Sequence, residues 1–262
     1  MKPFTHGVGM AQARAKIRLH VAADLGPGAE VVLDREQAHY LFGVMRQTVG
    51  AGVMIFNGRD GEWLSEVSEA GKRAGRLVCR EQVRAQSLPP DLWLCFAPIK
   101  KARTDFIAEK ACEMGCRRIL PVLTRNTNAE RVNVERLQAH AVEAAEQCGL
   151  LSVPKVAIPV KLDRMLSDWP QGRQLMFCDE RLAGVAPTVH QPPQGGEGCT
   201  LRGAAPWAVL IGPEGGFTVE EAERLRGLDY SRPVALGPRV LRADTAAVAA
   251  LAYWQMTYGD WT

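Results

Sequence analysis

A glycine-rich turn between an apolar strand and a predicted helix is the first feature of the sequence that could bind a ligand. It lies in AVLIGPEGGFTVEEAE, residues 208–223, where Gly-Pro-Glu-Gly-Gly directly follows the apolar run. Gly212, Gly215 and Gly216 permit positive φ angles and let the backbone approach a ligand closely. An ordinary strand-to-helix turn needs one glycine. Three glycines with a proline and the carboxylate of Glu214 therefore favour a ligand-binding loop.

The spacing within this loop excludes two common nucleotide-binding motifs. The loop lacks the G-x-G-x-x-G pattern of dinucleotide-binding folds, and no Gly-Lys-Ser/Thr follows it, as a Walker A loop requires. Thr218 and Glu221 have the spacing of a capping box, which marks where the helix begins. The turn is thus predicted at the carboxyl end of a strand, where open α/β sheets bind their ligands.

A second glycine loop follows in VALGPRVLRADTAAVAAL, residues 234–251. An apolar strand again ends in Gly-Pro, and Arg239 and Arg242 come directly after it. Two guanidinium groups beside a glycine loop favour contacts with an anion or with RNA over a merely solvated loop. Asp244 and Thr245 open the next helix. Either residue can serve there as the N-cap. For Asp244, a role in the chemistry of the site is the alternative.

Strands alternate with helices through the last two thirds of the chain, which predicts a parallel α/β sheet with both faces covered. The apolar strands are predicted at 91–98, 117–124, 173–179, 207–212 and 233–237. The helices are predicted at 101–115, 133–149, 162–169, 218–227 and 244–259. A Gly/Pro-rich loop is expected at 184–206. The last helix is very apolar, so we expect it to be buried against the sheet or a partner chain.

The first third of the chain consists of short strands and tight turns. Strand-like runs occur at 17–21, 29–33, 53–57, 62–67 and 76–83. One helix is predicted at 34–45, with Asp34 as its N-cap. Five or six strands with one helix predict a small β-barrel of roughly 70 residues. Paired prolines predict a linker at 87–91. We therefore expect a flexible leader at 1–16, a barrel at 17–87 and an α/β domain at 88–262.

Composition narrows the class of protein. The 262 residues have a net charge of +3 and are 47% hydrophobic, as in globular proteins. The excess positive charge lies in the first 90 residues, which fits a module that guides nucleic acid. No apolar run reaches the roughly 20 residues of a membrane span, and we expect no secretory signal. The seven cysteines include no C-x-x-C pair, and the five histidines show no zinc-ligand spacing. Buried thiols in a reducing compartment, without a metal, are therefore expected.

At these motifs the sequence resembles the SPOUT (trefoil-knotted) methyltransferases, and within them the RsmE family of 16S ribosomal RNA uridine-N3 methyltransferases. The family patterns I-G-P-E-G-G-F and L-G-x-R-I/V-L-R-x-E-T-A appear here as IGPEGGF and LGPRVLRADTA. The resemblance covers nearly the whole chain after residue 16. It includes a PUA-like RNA-binding barrel, with AHYLFGVMRQTVGAG around Arg46. It also includes the helix segment AEKACEMG, with Lys110, Glu113 and Gly115.

The resemblance implies S-adenosylmethionine as cofactor, bound by the glycine loops, the adjoining strand ends and the last helix. The residues that it assigns to this site are Phe177, Cys178, Leu210, Ile211, Gly212, Glu214, Gly215, Gly216, Leu236, Gly237, Val240, Leu241, Thr245 and Ala246. It assigns RNA contacts to Arg18, Arg46 and Arg239. It further implies a knotted C-terminal domain, a cytoplasmic homodimer with the last helix at its interface, and 16S ribosomal RNA in the small subunit as partner.

The chemistry implied by the resemblance starts at uridine N3, a weakly acidic imide nitrogen. Arg242 is expected to stabilise the anion that forms on the base, and Glu214 or Asp244 is expected to take the proton. N3 lies on the pairing edge, so the target base must be unpaired or splayed out. Two departures from the family pattern stand out. Asp244 replaces a Glu, and the segment EQCGLL has Cys148 and Leu150 in place of Ser and Arg.

Three other functions compete with this interpretation. A knotted methyltransferase acting on a transfer RNA or on ribose 2′-OH shares the glycine loops, although the N-terminal barrel argues against it. A non-catalytic RNA-binding assembly factor needs no intact glycine loops, and both loops are intact here. An NAD- or nucleotide-binding α/β protein is disfavoured because both of its fingerprints are missing.

Overall fold

The structure, a computed structural model, describes residues 15–71, 73–128, 131–184 and 205–261. Nearly all of the predicted leader, residues 1–16, lies outside these ranges. So does most of the predicted Gly/Pro-rich loop at 184–206, including Cys199. Both predictions therefore concern parts of the chain that the structure does not describe.

The chain divides into two compact units. The first comprises residues up to Leu88 together with residues 145–153, and the second comprises residues 89–144 and residues from Pro154 onward. The segment 145–153 thus groups with the N-terminal strands, although it lies within the predicted domain 88–262. The domain boundaries given above stay predictions.

The first unit is built on a five-stranded sheet with the strand order β1-β3-β4-β5-β2. Its strands are β1 (Arg18–His20), β2 (Glu30–Leu33), β3 (Gly52–Phe56), β4 (Glu62–Ala70) and β5 (Gly75–Arg84). β1 runs parallel to β3, and the other neighbours are antiparallel. Alternate side chains of the strands, such as Val53 and Ile55, are fully buried in one core. The predicted short strands of this region are confirmed.

The helix predicted at 34–45 has two parts. α1 (Arg35–Ala38) begins with a capping box, in which the Asp34 carboxylate accepts the Gln37 N–H and the Gln37 side chain accepts the Asp34 N–H. The predicted N-cap is therefore confirmed. The chain then continues as a π-helix, His39–Val44. Sequence periodicity over six residues cannot separate this wider turn from an α-helix.

The second unit contains a parallel sheet with the order β12-β10-β11-β6-β7-β8, and a further short strand, β9, that also pairs with β7. The strands are β6 (Leu92–Phe96), β7 (Arg118–Leu123), β8 (Lys155–Val156), β9 (Val160–Lys161), β10 (Gln174–Cys178), β11 (Trp207–Ile211) and β12 (Ser231–Val234). β8 and β9 were not predicted, since two residues give no periodicity. β12 is shorter than predicted because its partner β10 ends at Cys178, directly opposite Val234.

Within the described ranges, five α-helices and a short 3-10 helix, Glu180–Leu182, accompany this sheet. The α-helices are α2 (Lys101–Glu113), α3 (Val134–Cys148), α4 (Leu162–Ser167), α5 (Val219–Arg226) and α6 (Ala243–Tyr258). α5 begins with the predicted capping box of Thr218 and Glu221. α6 packs on α2 and β11, and the buried Gln255 amide donates to the Met114 carbonyl over 2.6 Å. The parallel α/β architecture is thus confirmed, while the knot stays a prediction.

No helix within the described ranges is long and apolar enough to cross a membrane. Five of the six described cysteines are buried, and Cys148 is exposed. The expectation of buried thiols is therefore met at all described cysteines except Cys148.

Candidate active site

A cavity of about 240 Å³ lies at the carboxyl ends of β10, β11 and β12, three neighbouring strands of the parallel sheet. The 212–218 loop follows β11 and forms one wall. The 235–242 loop follows β12 and forms a second, while residues 178–183 after β10 form the third. The cavity therefore occupies the position at which open α/β sheets bind ligands.

The cavity brings together most of the residues that the sequence assigned to cofactor binding. Those at its surface are Cys178, Ile211, Gly212, Glu214, Gly216, Leu236, Gly237, Val240, Leu241 and Ala246. The side chains of Arg239 and Arg242 also line it. Both arginines are exposed, and neither forms an ion pair with any described residue. Two unpaired guanidinium groups thus lie at the rim of one cavity.

Other assigned residues lie behind the cavity or beside it. Phe177 and Leu210 are fully buried in the core beneath, where Phe177 meets the Phe217 ring edge-on at 5.2 Å between ring centroids. Successive strand residues face opposite sides of the sheet, so Cys178 and not Phe177 reaches the cavity. Gly215 and Thr245 are also absent from its surface.

Two glycines of the 212–218 loop have steric reasons to be glycine. Gly216 has a φ of +67°, and a Cβ atom there would collide with the Glu180 carboxylate. A Cβ atom at Gly212 would lie 2.6 Å from the Phe217 ring. Glu180 also accepts the Phe217 N–H over 3.1 Å, which ties this loop to the third wall. Side chains at these positions would displace the walls that surround the cavity.

Asn126 fixes the same loop from outside. Its side-chain amide donates to the carbonyl oxygens of Gly215 and Gly216, over 3.2 Å and 3.0 Å. Asn126 was not predicted. Its position shortly after β7, at the edge of the sheet that carries the glycine loops, was the available signal.

Arg103 joins the two carboxylates that the sequence proposed as proton acceptors. Its guanidinium lies 3.1 Å from the Glu214 carboxylate and 3.3 Å from that of Asp244. Glu214 also lines the cavity, whereas Asp244 does not. Arg103 was missed because it lies more than 100 residues before either partner. The two carboxylates therefore differ in their access to the cavity.

The start of α6 differs from the predicted N-cap. The N-cap position is Arg242, which makes no capping hydrogen bond with its side chain. Asp244 is the second residue of the helix, where its carboxylate accepts the Thr245 N–H over 2.9 Å. The prediction that Asp244 or Thr245 caps the helix is wrong, because α6 begins earlier, at Ala243.

Asp179 is a third residue that the sequence did not predict. It directly follows β10, lines the cavity and is buried. One carboxylate oxygen accepts a hydrogen bond of 2.7 Å from the Arg226 guanidinium, and the other accepts one of 3.1 Å from the Arg181 backbone N–H. With both oxygens engaged, Asp179 shapes the third wall and holds the loop after β10 against α5.

The thiol of Cys178 is not a nucleophile. Burial raises its pKa to about 12, so the group is protonated at neutral pH. Among the described residues, no cluster of histidine, cysteine and carboxylate side chains could hold a metal ion. The side chains available for chemistry at the cavity are therefore carboxylates and guanidiniums.

Comparison with known proteins assigns this fold and site to a family. The sequence model of an RNA methyltransferase domain matches residues 86–255, and that of an RNA methyltransferase PUA domain matches residues 33–78. The chain belongs to the RsmE family of RNA methyltransferases. Ribosomal RNA small subunit methyltransferase E of Synechocystis sp. is 31% identical over 239 residues, which cover 90% of this chain and 76% of that protein. The Rickettsia conorii protein of the same name is 28% identical over 90% of this chain and 93% of its own length.

Solved structures share the whole architecture of this RsmE-family chain. A Legionella pneumophila protein in complex with the bound cofactor SAM has a TM-score of 0.78 and 25% identity, over 93% of this chain and 98% of that one. Ribosomal RNA small subunit methyltransferase E from Neisseria gonorrhoeae has a TM-score of 0.81 and 22% identity, over 94% of this chain and 99% of that one. The second likeness supports the fold alone.

The two RsmE-family arginines assigned to RNA on the first unit differ in their surroundings. Arg46 is exposed and has a φ of +53°, the one positive φ of a non-glycine residue within the described ranges. A side chain held in the left-handed region costs conformational energy. Such strain at an exposed arginine is consistent with a functional role.

Arg18, by contrast, uses its guanidinium donors in hydrogen bonds within its own unit. It donates to the carboxylate of Glu62 over 2.6 Å and to the carbonyl oxygens of Ala145, Glu146 and Leu150. Its side chain is 15% exposed. Its contact with RNA stays a prediction, while the structure gives it the task of holding the segment 145–153. Leu150, which departs from the family Arg, supplies only its carbonyl to this contact.

Glu62 is the buried centre of this cluster, with 2% of its side chain exposed. Burial alone would raise the pKa of this carboxyl, but hydrogen bonds from Arg84 and Arg18 outweigh it and hold the pKa below its ordinary value. Arg84 also donates to the Gly149 carbonyl over 2.9 Å. The Arg18 and Arg84 guanidiniums thus bind carbonyl groups at and just after the end of α3, and the Glu62 carboxylate holds both guanidiniums.

Proposed function

We propose that this chain transfers the methyl group of S-adenosylmethionine to N3 of one uridine in the 16S ribosomal RNA of the small subunit. The observation that carries the proposal is the cavity at the ends of β10, β11 and β12, which two glycine loops line together with Arg242 and Glu214. The loops suit the methyl donor. The two charged side chains suit a reaction that removes a proton from an imide nitrogen.

The backbone of the 235–242 loop fits an adenine ring. The N–H and C=O groups of Leu236 and the N–H of Leu241 form no hydrogen bond in the described part of the chain. Partly buried backbone groups without partners need a polar ligand or water, and the edge of adenine offers both a donor and an acceptor. When bound, S-adenosylmethionine supplies an electrophilic methyl group on a sulfonium centre.

Arg242 has the surroundings of an anion-stabilising residue. Loss of the N3 proton leaves negative charge on the uracil carbonyl oxygens, and an oriented guanidinium stabilises it. Arg242 lines the cavity and has no ion pair within the described ranges, so its donors remain available. Arg103, whose guanidinium is already shared between two carboxylates, is less suited to this role.

Glu214 is the better proton acceptor of the two carboxylates. It faces the cavity and 42% of its side chain is exposed, so it can reach a base directly or through water. Asp244 engages one oxygen with the Thr245 N–H and the other with Arg103. We therefore assign proton removal to Glu214 and a supporting role to Asp244.

The remaining family expectations belong to the same proposal. Arg46 and Arg239, both exposed, are proposed to contact RNA phosphates. A homodimer that uses α6 is supported by Met256, whose apolar side chain is exposed on this helix. A small-subunit substrate implies action in the cytoplasm, and the trefoil knot is carried over with the family.

Identification of the methylated nucleoside tests the proposal. The protein is incubated with methyl-labelled S-adenosylmethionine and small subunits that lack the modification, and the RNA is digested to nucleosides. Label in 3-methyluridine is expected. Label in a 2′-O-methyl nucleoside would keep the fold and overturn the substrate. Absence of label with cofactor binding would indicate another RNA, and absence of both would favour the assembly factor.

A further inference from the structure

The cavity at the ends of β10, β11 and β12, proposed above to bind S-adenosylmethionine, is called the cofactor cavity below. A second cavity, of about 560 Å³, lies beside it in the same unit. Residues at the start of α2 and several residues within 126–128 and 131–137 line it. Pro213 and Glu214 line both cavities, so this pair of residues forms their common wall. A volume in this range is typical of ligand sites in proteins. Of the site residues that the sequence assigned, Glu214 alone is among the described residues that line it.

The lining of this second cavity is basic. Lys100, Lys101 and Arg131 are exposed and form no ion pair with any residue that the structure describes. The other charged residues of the lining are engaged, since Arg136 pairs with Asp105 and Glu214 pairs with Arg103. Among the lining residues that the structure describes, four cations thus face two carboxylates.

In the cofactor cavity, the described acidic side chains outnumber the basic ones. Its lining includes three carboxylates, Asp179, Glu180 and Glu214, and two guanidiniums, Arg239 and Arg242. A cationic methyl donor is better matched to this cavity, whereas a polyanion is better matched to the basic one. The two neighbouring cavities therefore differ in charge in the way that a methyl donor and an RNA strand differ.

We propose that the second cavity binds the phosphates of the single-stranded RNA that flanks the target nucleotide, through Lys100, Lys101 and Arg131. This inference rests on the proposed function. Glu214 stands on the common wall, so a base that enters from the RNA side meets the proposed proton acceptor first. Contacts between these side chains and the RNA phosphates position the target base but do not themselves read the RNA sequence.

Two lysines at the start of α2 give the cleanest variant. Lys100 occupies the N-cap position but makes no capping hydrogen bond with its side chain, so its removal leaves the helix start intact. The variant carries Lys100→Ala and Lys101→Ala. The matched control carries Lys155→Ala and Lys161→Ala, which removes two exposed lysines of the same unit that line neither cavity. Arg131→Ala serves as a second, independent variant.

Two measurements compare these proteins. The first is the KM for unmodified small subunits, with the Kd for S-adenosylmethionine from calorimetry beside it. The second is the affinity for a short fluorescein-labelled single-stranded RNA as a function of salt concentration. We expect the double variant to raise the KM for subunits roughly tenfold and to leave the cofactor Kd unchanged. The slope of log affinity against log salt should fall by about 1.4, since each lost phosphate contact changes it by about 0.7.

The possible results separate this inference from the proposed function. If the double variant and Arg131→Ala match the control while wild type methylates RNA, the inference is wrong and the function stands. A parallel loss of cofactor binding would also overturn it, because the lysines would then support the neighbouring cavity. If wild type methylates nothing, the function fails. The salt dependence of RNA binding then still decides whether the cavity holds RNA.

Discussion

At the scale of single residues, the charged side chains around the cofactor cavity fall into paired and unpaired groups. Arg103 pairs with both Glu214 and Asp244, whereas Arg242 lines the cavity without an ion pair in the described chain. A paired guanidinium positions carboxylates, and an unpaired one is available to a developing anion. The glycine-loop motifs singled out Arg242, Glu214 and Asp244, and the resemblance to the family implied their roles. It could not identify Arg103, whose partners lie more than 100 residues further along the chain.

Replacement of Arg242 by alanine tests the anion-stabilising role. We expect the single-turnover rate of methyl transfer to fall about a hundredfold or more. The Kd for S-adenosylmethionine should change little, because the proposed cofactor contacts come from the backbone of the glycine loops. Arg239→Ala, in the same loop and equally exposed, is the control and should mainly weaken RNA binding. Equal losses of rate and cofactor affinity in Arg242→Ala would remove its catalytic role.

The two carboxylates should respond differently to replacement by their amides. Glu214→Gln is expected to lower the rate about a hundredfold or more, since a glutamine cannot take the N3 proton. Asp244→Asn keeps an oxygen for the Thr245 N–H and should lower the rate far less. Single-turnover rates with melting temperatures measure both. The reverse order of effects at unchanged melting temperature would assign the proton to Asp244.

At the scale of elements, the sequence predicts regular structure well and irregular structure poorly. Capping boxes at Asp34 and Thr218 mark helix starts because their partners lie three residues away. The start of α6 was misplaced, since its N-cap Arg242 makes no capping bond that a pattern could reveal. The end of β12 was also misplaced, at residue 237 instead of Val234, because the strand ends where its partner β10 ends.

The buried cluster around Glu62 stabilises the first unit. We expect Glu62→Gln to lower the free energy of unfolding by about 3 kcal/mol, because it leaves two partly buried guanidiniums without their carboxylate. Glu66→Gln is the matched control on the same strand. Glu66 pairs with Arg80 at the surface, so its loss should cost less than about 1 kcal/mol. Urea unfolding compares the two, and similar losses would contradict the account.

The same cluster predicts a dependence of stability on pH. The folded-state pKa of Glu62 lies below its ordinary value of 4.5. The contribution of this carboxylate is therefore fully present above pH 4.5 and is lost as the pH falls through the folded-state pKa. Wild type should lose more stability than Glu62→Gln in this range. Parallel curves of unfolding free energy against pH would show that Glu62 is not the group responsible.

The strained loop after the π-helix offers a test that separates stability from RNA binding. Arg46→Gly relieves a φ of +53° but adds flexibility to the unfolded chain, so stability should stay within about 1 kcal/mol of wild type. Affinity for small-subunit RNA should fall if Arg46 contacts phosphates. Arg35→Ala, which removes another exposed arginine of the same unit, is the control. Unchanged RNA affinity in Arg46→Gly would leave the strain without a functional explanation.

At the scale of the whole molecule, the site depends on strand order more than on any one motif. β10, β11 and β12 are neighbours in the sheet, so three loops that are separate in sequence meet at one cavity. The sequence supplied two of these loops through their glycines and the resemblance to a family. Asp179 and Asn126 carried no motif, and their contributions become visible only when the strands are assembled.

Methylation of one uridine on its pairing edge can be detected by reverse transcription of the treated RNA. A methyl group on N3 blocks pairing, so the enzyme that copies the RNA stops one nucleotide before it, whereas a 2′-O-methyl group leaves the pairing edge open. We predict a single new stop in small-subunit RNA, one nucleotide before a uridine, that requires both S-adenosylmethionine and wild-type protein and is strongly weakened with Arg242→Ala. Methyl incorporation without such a stop, or stops at many unrelated positions, would contradict the account.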